Sequence, residues 1–321
     1  MRDVGIFSTR RALPRMSWTP KNLFNLVQRT VQDGDKKKDL DFGGGSRDTL
    51  FQQRWRAKTL VRAYHGDLLN EKIFKRWYLP DYLPDVRPRR KVFSGDQAQL
   101  AEFAKRKQKE EKKDEKDKEK EKDKGLAPIG SLMFAEVERR LDVLIFRSCF
   151  AHSIYEARRL VVHGNVLLNG KRHYNANTRL APGDMFSVKP SAIQFLQPPK
   201  NPDECDDISG REGAPEDLTP FHLPFYASPW LFIPAYLEVS FPTCSAVYVR
   251  HPTARPQYSE IPTPYDADGD VIRYAWEWYM EHRPRKRTES QWAKMPDDRL
   301  RRHMQEHRLG KNSLKLATSI V

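Results

Sequence analysis

Between Ser153 and Gly170 the chain carries three backbone instructions in close succession. Ser153 followed by Glu156 is a capping box, in which the hydroxyl accepts from a first-turn amide and the carboxylate reaches back to the helix start. Gly164 stands where a helix ends in the left-handed region that glycine enters without penalty. Asn169-Gly170 signals a two-residue hairpin turn, because both central positions of that turn need positive φ. A helix from Ser153, a stop at Gly164, a strand from Val166 to Leu168 and a reversal into Lys171 and Arg172 follow from these residues alone.

The surrounding pattern extends this into an α+β module over residues 131–190. Leu141, Leu144, Ile145 and Phe150 recur at helical spacing and predict a first helix, with Arg139, Arg140 and Arg147 on the rest of its surface. On the second helix Ile154, Ala157 and Val161 share a stripe with Leu160 beside it, while Arg158 and Arg159 point away. Pro182-Gly183-Asp184 makes another turn, and Met185 to Val188 supplies a last short strand. Two helices on a small sheet leave no room for a cofactor pocket, so the chemistry of such a module lies on its surface. Between Arg139 and Lys189 there are nine Lys or Arg and three acids, a local net of +6. Cations held on helix ends and a rigid hairpin suit phosphate contact, and Lys171 and Arg172 are expected to form one basic face with Arg158 and Arg159.

The whole chain points the same way. Its 321 residues hold 57 Lys and Arg against 43 Asp and Glu, a formal net charge of +14, which favours a polyanionic partner. Residues 1–46 are Arg-rich, poor in acids over the first thirty positions and rich in hydroxyls, as in a basic tail or a mitochondrial transit segment. Residues 47–104 contain Leu50, Trp55, Leu60, Val61 and Tyr64 at roughly helical spacing among Arg and Lys, predicting one or two basic helices broken near Gly66. Residues 105–130 include a run, 105–124, with 11 cations and 8 anions in 20 positions, which has nothing apolar to bury and reads as a spacer. Residues 191–222 read as an acidic, proline-rich insertion, 223–285 as strands and a helix, and 286–321 as a basic extension ordered by a partner.

Several chemistries are disfavoured. Cys149, Cys205 and Cys244 are far apart and form no CxxC pair, so neither a zinc site nor a disulfide framework is expected. No apolar run approaches the roughly 20 residues of a membrane-spanning helix. Asp266, Asp268, Asp270 and Glu277 echo a calcium loop, but Val271 stands where that loop requires glycine, so an acidic surface loop is expected. His152, His163 and His173 lack metal-ligand spacing.

The order of Arg-Leu-Asp, "SIYEARRLV", "HGNVLLNGKR" and "LAPGDMFSV" resembles the S-four RNA-binding domain, named for a ribosomal small-subunit protein. The flank "LFQQRWRAKTLVRAYHGDLLNEKIFKRWY" is similar to that of mitochondrial small-subunit ribosomal proteins of this family, and "YLEVSFPTCSAVYVRHP" with "AWEWY" resembles the segment after the domain in its ribosomal members. The long insertions and terminal extensions resemble its fungal mitochondrial members. With the flanks the resemblance covers about half of the chain. It implies a small module beside a flanking helical subdomain, with the segment after the module folding back on the helical part. It further implies a non-enzymatic constituent of the mitochondrial small ribosomal subunit in the matrix, with small-subunit rRNA and neighbouring ribosomal proteins as partners. No cofactor, small-molecule substrate or membrane is expected. The RNA-binding residues it implies are Arg139, Arg140, Arg147, Ser153, Arg158, Arg159, His163, Asn169, Lys171 and Arg172, with Arg54, Arg56, Lys58 and Arg62 as a second set. An RNA-modifying enzyme or a non-ribosomal RNA chaperone anchored by the same domain is the alternative.

Overall fold

The computed structural model describes residues 13–30, 48–84, 127–197, 205–207, 222–224, 232–284 and 288–304. The charged run 105–124, most of the acidic insertion and the last 17 positions lie outside the described residues.

The central module forms where the local signals place it. Helix α5 (Leu141–Arg147) follows the short helices α1 (Pro20–Thr30), α2 (Leu50–Tyr64), α3 (Glu71–Ile73) and α4 (Ala135–Glu138), and α6 (Ile154–Val162) comes next. The Ser153 hydroxyl accepts from the Glu156 amide at 3.2 Å. The Glu156 carboxylate reaches one residue further back than expected, accepting from the His152 amide at 3.2 Å. Gly164 has φ +70°, a conformation that favours glycine, and a Cβ there would lie 2.7 Å from the exposed Tyr174 ring, which would have to swing aside. Strands β1 (Val166–Leu168) and β2 (Lys171–Arg172) are joined by Asn169 at φ 49° and Gly170 at φ 79°, the two positive-φ residues the turn requires.

Strand β3 (Met185–Val188) pairs antiparallel with β1, aligning Leu168 with Phe186 and Val166 with Val188. Those four side chains are buried under α5 and α6, whose apolar stripe of Ile154, Ala157, Leu160 and Val161 faces the same core. Helix α5 is buried along its entire length, as a short helix enclosed on all sides must be.

A minor two-stranded pair joins β4 (Cys205–Asp207), inside the expected acidic insertion, to β5 (His222–Pro224) at its end. Strands β6 (Leu237–Ser240) and β7 (Ser245–Tyr248) extend the module's own sheet in the order β2-β1-β3-β7-β6, rather than folding onto the helical part. A further hairpin joins β8 (Ala254–Arg255) to β9 (Tyr258–Ser259). Helix α7 (Asp270–Glu281) of this region packs on α2, with Trp278 edge-on to Trp55 at 5.3 Å and to Phe51 at 5.1 Å. Helix α8 (Glu289–Trp292) opens the C-terminal segment.

Three expectations about the flanks are corrected. Residues 13–30 are not a tail: Met16, Trp18, Leu23 and Leu26 are buried, and Trp18 packs on Phe146 and Phe195. Ile193 and Phe195, placed in the insertion, belong to the core. Residues 288–304 dock on the module itself, where the Arg179 amide donates to the Asp297 carbonyl and the Arg299 amide to the Arg179 carbonyl. Short apolar clusters interrupted by prolines give no periodic signal, yet a few large side chains suffice to anchor such segments.

Candidate nucleic-acid interface

Three of the arginines expected on the surface are inside the protein. Arg139, Arg140 and Arg147 retain only 3%, 1% and 5% of their accessible surface. A buried guanidinium persists only when its donors meet acceptors, and each of these does. Arg147 donates twice to Glu138, at 3.0 Å from both Nε and Nη2. Glu138 also accepts from the Tyr236 hydroxyl at 2.9 Å and lies 3.2 Å from His65 Nδ1. Burial by itself would raise the Glu138 pKa, but Arg147 and the hydrogen bond from His65 outweigh it and hold the carboxyl at about 2.

Arg140 donates to both Asp142 oxygens, to the Tyr78 hydroxyl at 2.8 Å and to Asn177 Oδ1 at 2.7 Å. Burial disfavours its charge, yet Asp142 and Tyr78 raise its pKa above the ordinary value. Arg139 and Arg179 share two carboxylates, with Glu136 2.7 Å from the first and 2.8 Å from the second, and Asp298 at 2.9 Å and 3.3 Å. These groups form a polar seam joining α4 and α5 to the loop at 177–180 and to the C-terminal segment. Sequence reasoning missed Arg179 and Asp298. Their only local signal is charge, because they meet across 119 positions of chain.

The second set, on α2, is likewise committed within the protein. Arg54 pairs with Glu277 and Glu281 of α7 at 3.1 Å each, and Arg56 pairs with Asp48. The buried Lys58 ammonium sits 3.8 Å above the Trp55 ring and 3.8 Å from Glu71, and desolvation lowers its pKa. Arg62 donates to the carbonyls of His65, Gly66 and Leu69, which closes the turn after α2, and stacks on Phe74. Lys58 and Arg62 are therefore corrected from a basic surface to helix and turn contacts, whereas Arg54 and Arg56 stay partly exposed in pairs with Glu277, Glu281 and Asp48.

What remains outward is smaller and lies on the hairpin and the end of α6. Arg159 is 60% exposed in its side chain and carries a surface pair with Glu156. Arg158 is half-buried, donating to Asn177 at 2.8 Å, so it faces the loop that follows β2. His163 is exposed just past the C-terminal end of α6. Lys171 and Arg172 are both exposed, with no acidic partner among the described residues. Their register differs from the expected single face. Arg172 stands opposite Leu167 and Lys171 opposite Leu168, so the two cations project to opposite sides of the sheet.

Ser153 and Asn169 have local duties. The Ser153 hydroxyl caps α6, and the Asn169 amide bridges the hairpin turn to Asp184 and to the Met185 amide. Tyr174, 60% exposed and resting against Gly164, was not foreseen and ties the exit of the hairpin to the end of α6. The outward groups Arg158, Arg159, His163, Lys171, Arg172 and Tyr174 thus lie at the end of α6 and along the hairpin, a ridge whose two strand cations point to opposite sides. A ridge of this kind can present donors to phosphates and an aromatic face to a base.

Comparison with known proteins places the module in a family. The S4 domain matches residues 139–186, the stretch from the buried Arg139 to strand β3. The chain is 30% identical over 301 residues to small ribosomal subunit protein uS4m of Schizosaccharomyces pombe, covering 84% of this chain and 79% of the relative. It is 34% identical over 147 residues to uS4m of Reclinomonas americana, which is 46% of this chain and 50% of that protein. A 152-residue match at 32% identity to uS4 of Tropheryma whipplei covers 47% of this chain and 62% of the relative.

Proposed function

The chain belongs to the uS4m family of small ribosomal subunit proteins, and on that premise we propose that its hairpin ridge docks on small-subunit rRNA. The protein is a structural constituent of the mitochondrial small ribosomal subunit, and its place is the mitochondrion. The observation that carries the assignment is a relation to uS4m running through 84% of the chain, with the S4 domain inside it. The physical reading agrees: cations on a rigid turn, with no acidic partner among the described residues, lose little on meeting phosphate and release counterions from RNA when they do.

The role is architectural. The buried acids and bases are spent on one another in the seam, leaving the ridge to bind rather than to react. Candidate contacts are Lys171, Arg172, Arg159, Arg158 and His163. Neighbouring proteins of the subunit are further partners, a role supported by Phe51 and Trp55, which are 60% and 41% exposed on α2.

The test is sedimentation of mitochondrial lysate through a high-salt gradient, followed by mapping of RNA crosslinks on the protein. The protein is expected in the small-subunit fraction with crosslinks on the ridge. Protein recovered only at the top of the gradient would overturn the reading.

A further inference from the structure

The C-terminal segment 288–304 lies outside the residues matched by the S4 domain, yet it is seated against that domain. Its charges are sorted. Both acids at its centre turn inward: Asp298 bridges Arg139 and Arg179, and Asp297 accepts from the Thr178 hydroxyl at 3.2 Å. Arg299 also turns inward, to Asp184 at 2.7 Å. Lys294 and Arg302 are left exposed. At the centre of the segment the acids thus face the module while Lys294 and Arg302 face solvent.

The position of Arg302 follows from a short chain of contacts. His173 Nε2 lies 2.7 Å from Thr178 Oγ1, Thr178 donates to Asp297, and Asp297 holds the Arg302 guanidinium at 2.7 Å. His173 directly follows Lys171 and Arg172, so the strap sets Arg302 alongside the exit of the hairpin. The electrostatics fit this placement: burial lowers the His173 pKa, Asp297 and a backbone hydrogen bond at Asn175 oppose that shift, and the charges of Arg299 and Arg302 add to it. Arg302 keeps 54% of its side chain exposed, and an exposed pair with Asp297 holds it in place without consuming its remaining donors.

We propose that residues 288–304 form a second RNA-contacting element, in which Arg302 adds a phosphate contact beside the hairpin ridge. The inference rests on the ridge being the rRNA surface. It extends that surface to a segment that the domain match does not include. Asp297 is the positioning residue, and Asp298 fastens the strap to the module.

The experiment measures binding of the full chain to a transcript of its own mitochondrial small-subunit rRNA across a salt series. Three variants are compared: Arg302→Ala, Arg302→Lys, and the hairpin double variant Lys171→Ala/Arg172→Ala. Arg302→Ala is expected to weaken binding by about threefold to tenfold and to reduce the salt slope by about one, with an unchanged thermal midpoint. Arg302→Lys should restore the slope, because the charge is kept. Wild-type affinity and slope in Arg302→Ala, alongside a weakened hairpin variant, would overturn the strap and leave the ridge standing. Wild-type behaviour in both would overturn the two together.

Discussion

The seam and the ridge are built from the same residue types and use them in opposite ways. In the seam, Arg139, Arg140, Arg147 and Arg179 are each at most 5% exposed, and carboxylates or hydroxyls meet them at hydrogen-bond distance. On the ridge, Lys171 and Arg172 are exposed and have no such partner among the described residues. A guanidinium out of water is costly unless fully paired, and once paired it cannot be withdrawn without stranding its partner. An exposed one contributes little to stability and remains available to a ligand. Positive charge counted along a sequence therefore mixes two populations, of which only the second can meet an RNA.

The sharpest way to break this contrast is to remove a seam arginine. Arg147→Ala leaves the Glu138 carboxylate buried beside neutral neighbours and should destabilise the fold by about 3–5 kcal/mol in urea unfolding. A loss below about 1 kcal/mol would place Arg147 with the surface cations.

Acid tests the same site from the other side. The Glu138 pKa is depressed to about 2 in the fold, so its contribution is fully present above the ordinary carboxyl value near 4.5 and is lost as pH falls toward 2. Burial lowers the His65 pKa, so the unfolded chain binds its proton more readily than the fold does as pH falls through about 6.5. Both effects have the same sign, and the urea midpoint should fall with pH below 6.5, most steeply below 4.5. In Glu138→Gln the lower part of that fall should flatten. A wild-type profile in the variant would remove Glu138 from the account.

Asp298→Ala should cost less, about 1–3 kcal/mol, because Glu136 remains to hold both arginines. The readout is the urea midpoint, and limited proteolysis should show earlier cleavage after residue 284. No change in either would mean that the strap is not fastened by its acids.

How much of this was legible in advance divides along the same line. The capping serine, Gly164, the Asn169-Gly170 turn and the apolar stripe of α6 are local signals, and the fold places each where its chemistry requires. The burial of Arg139, Arg140 and Arg147 was not legible. The groups that admit them to the interior, Tyr78, Asn177, Tyr236 and Asp298 among them, come from segments up to 159 positions away. Lys171 and Arg172 stand directly after the turn, as the sequence predicts, but neighbours in a strand do not share a face. The two-residue period of a strand separates them. Trp18 and Met16 were hidden for another reason: their segment is too short and too irregular to show a period, although both are buried.

The smallest expected effect on stability is the most telling one. The central claim is that the fold reserves its outward cations for RNA, and Lys171→Ala/Arg172→Ala tests it directly. Binding to the small-subunit rRNA transcript should weaken, and the slope of log affinity against log salt should fall by about two, one for each lost phosphate contact. Unfolding free energy should stay within about 0.5 kcal/mol of wild type. An unchanged salt slope in a fully folded double variant would contradict the account.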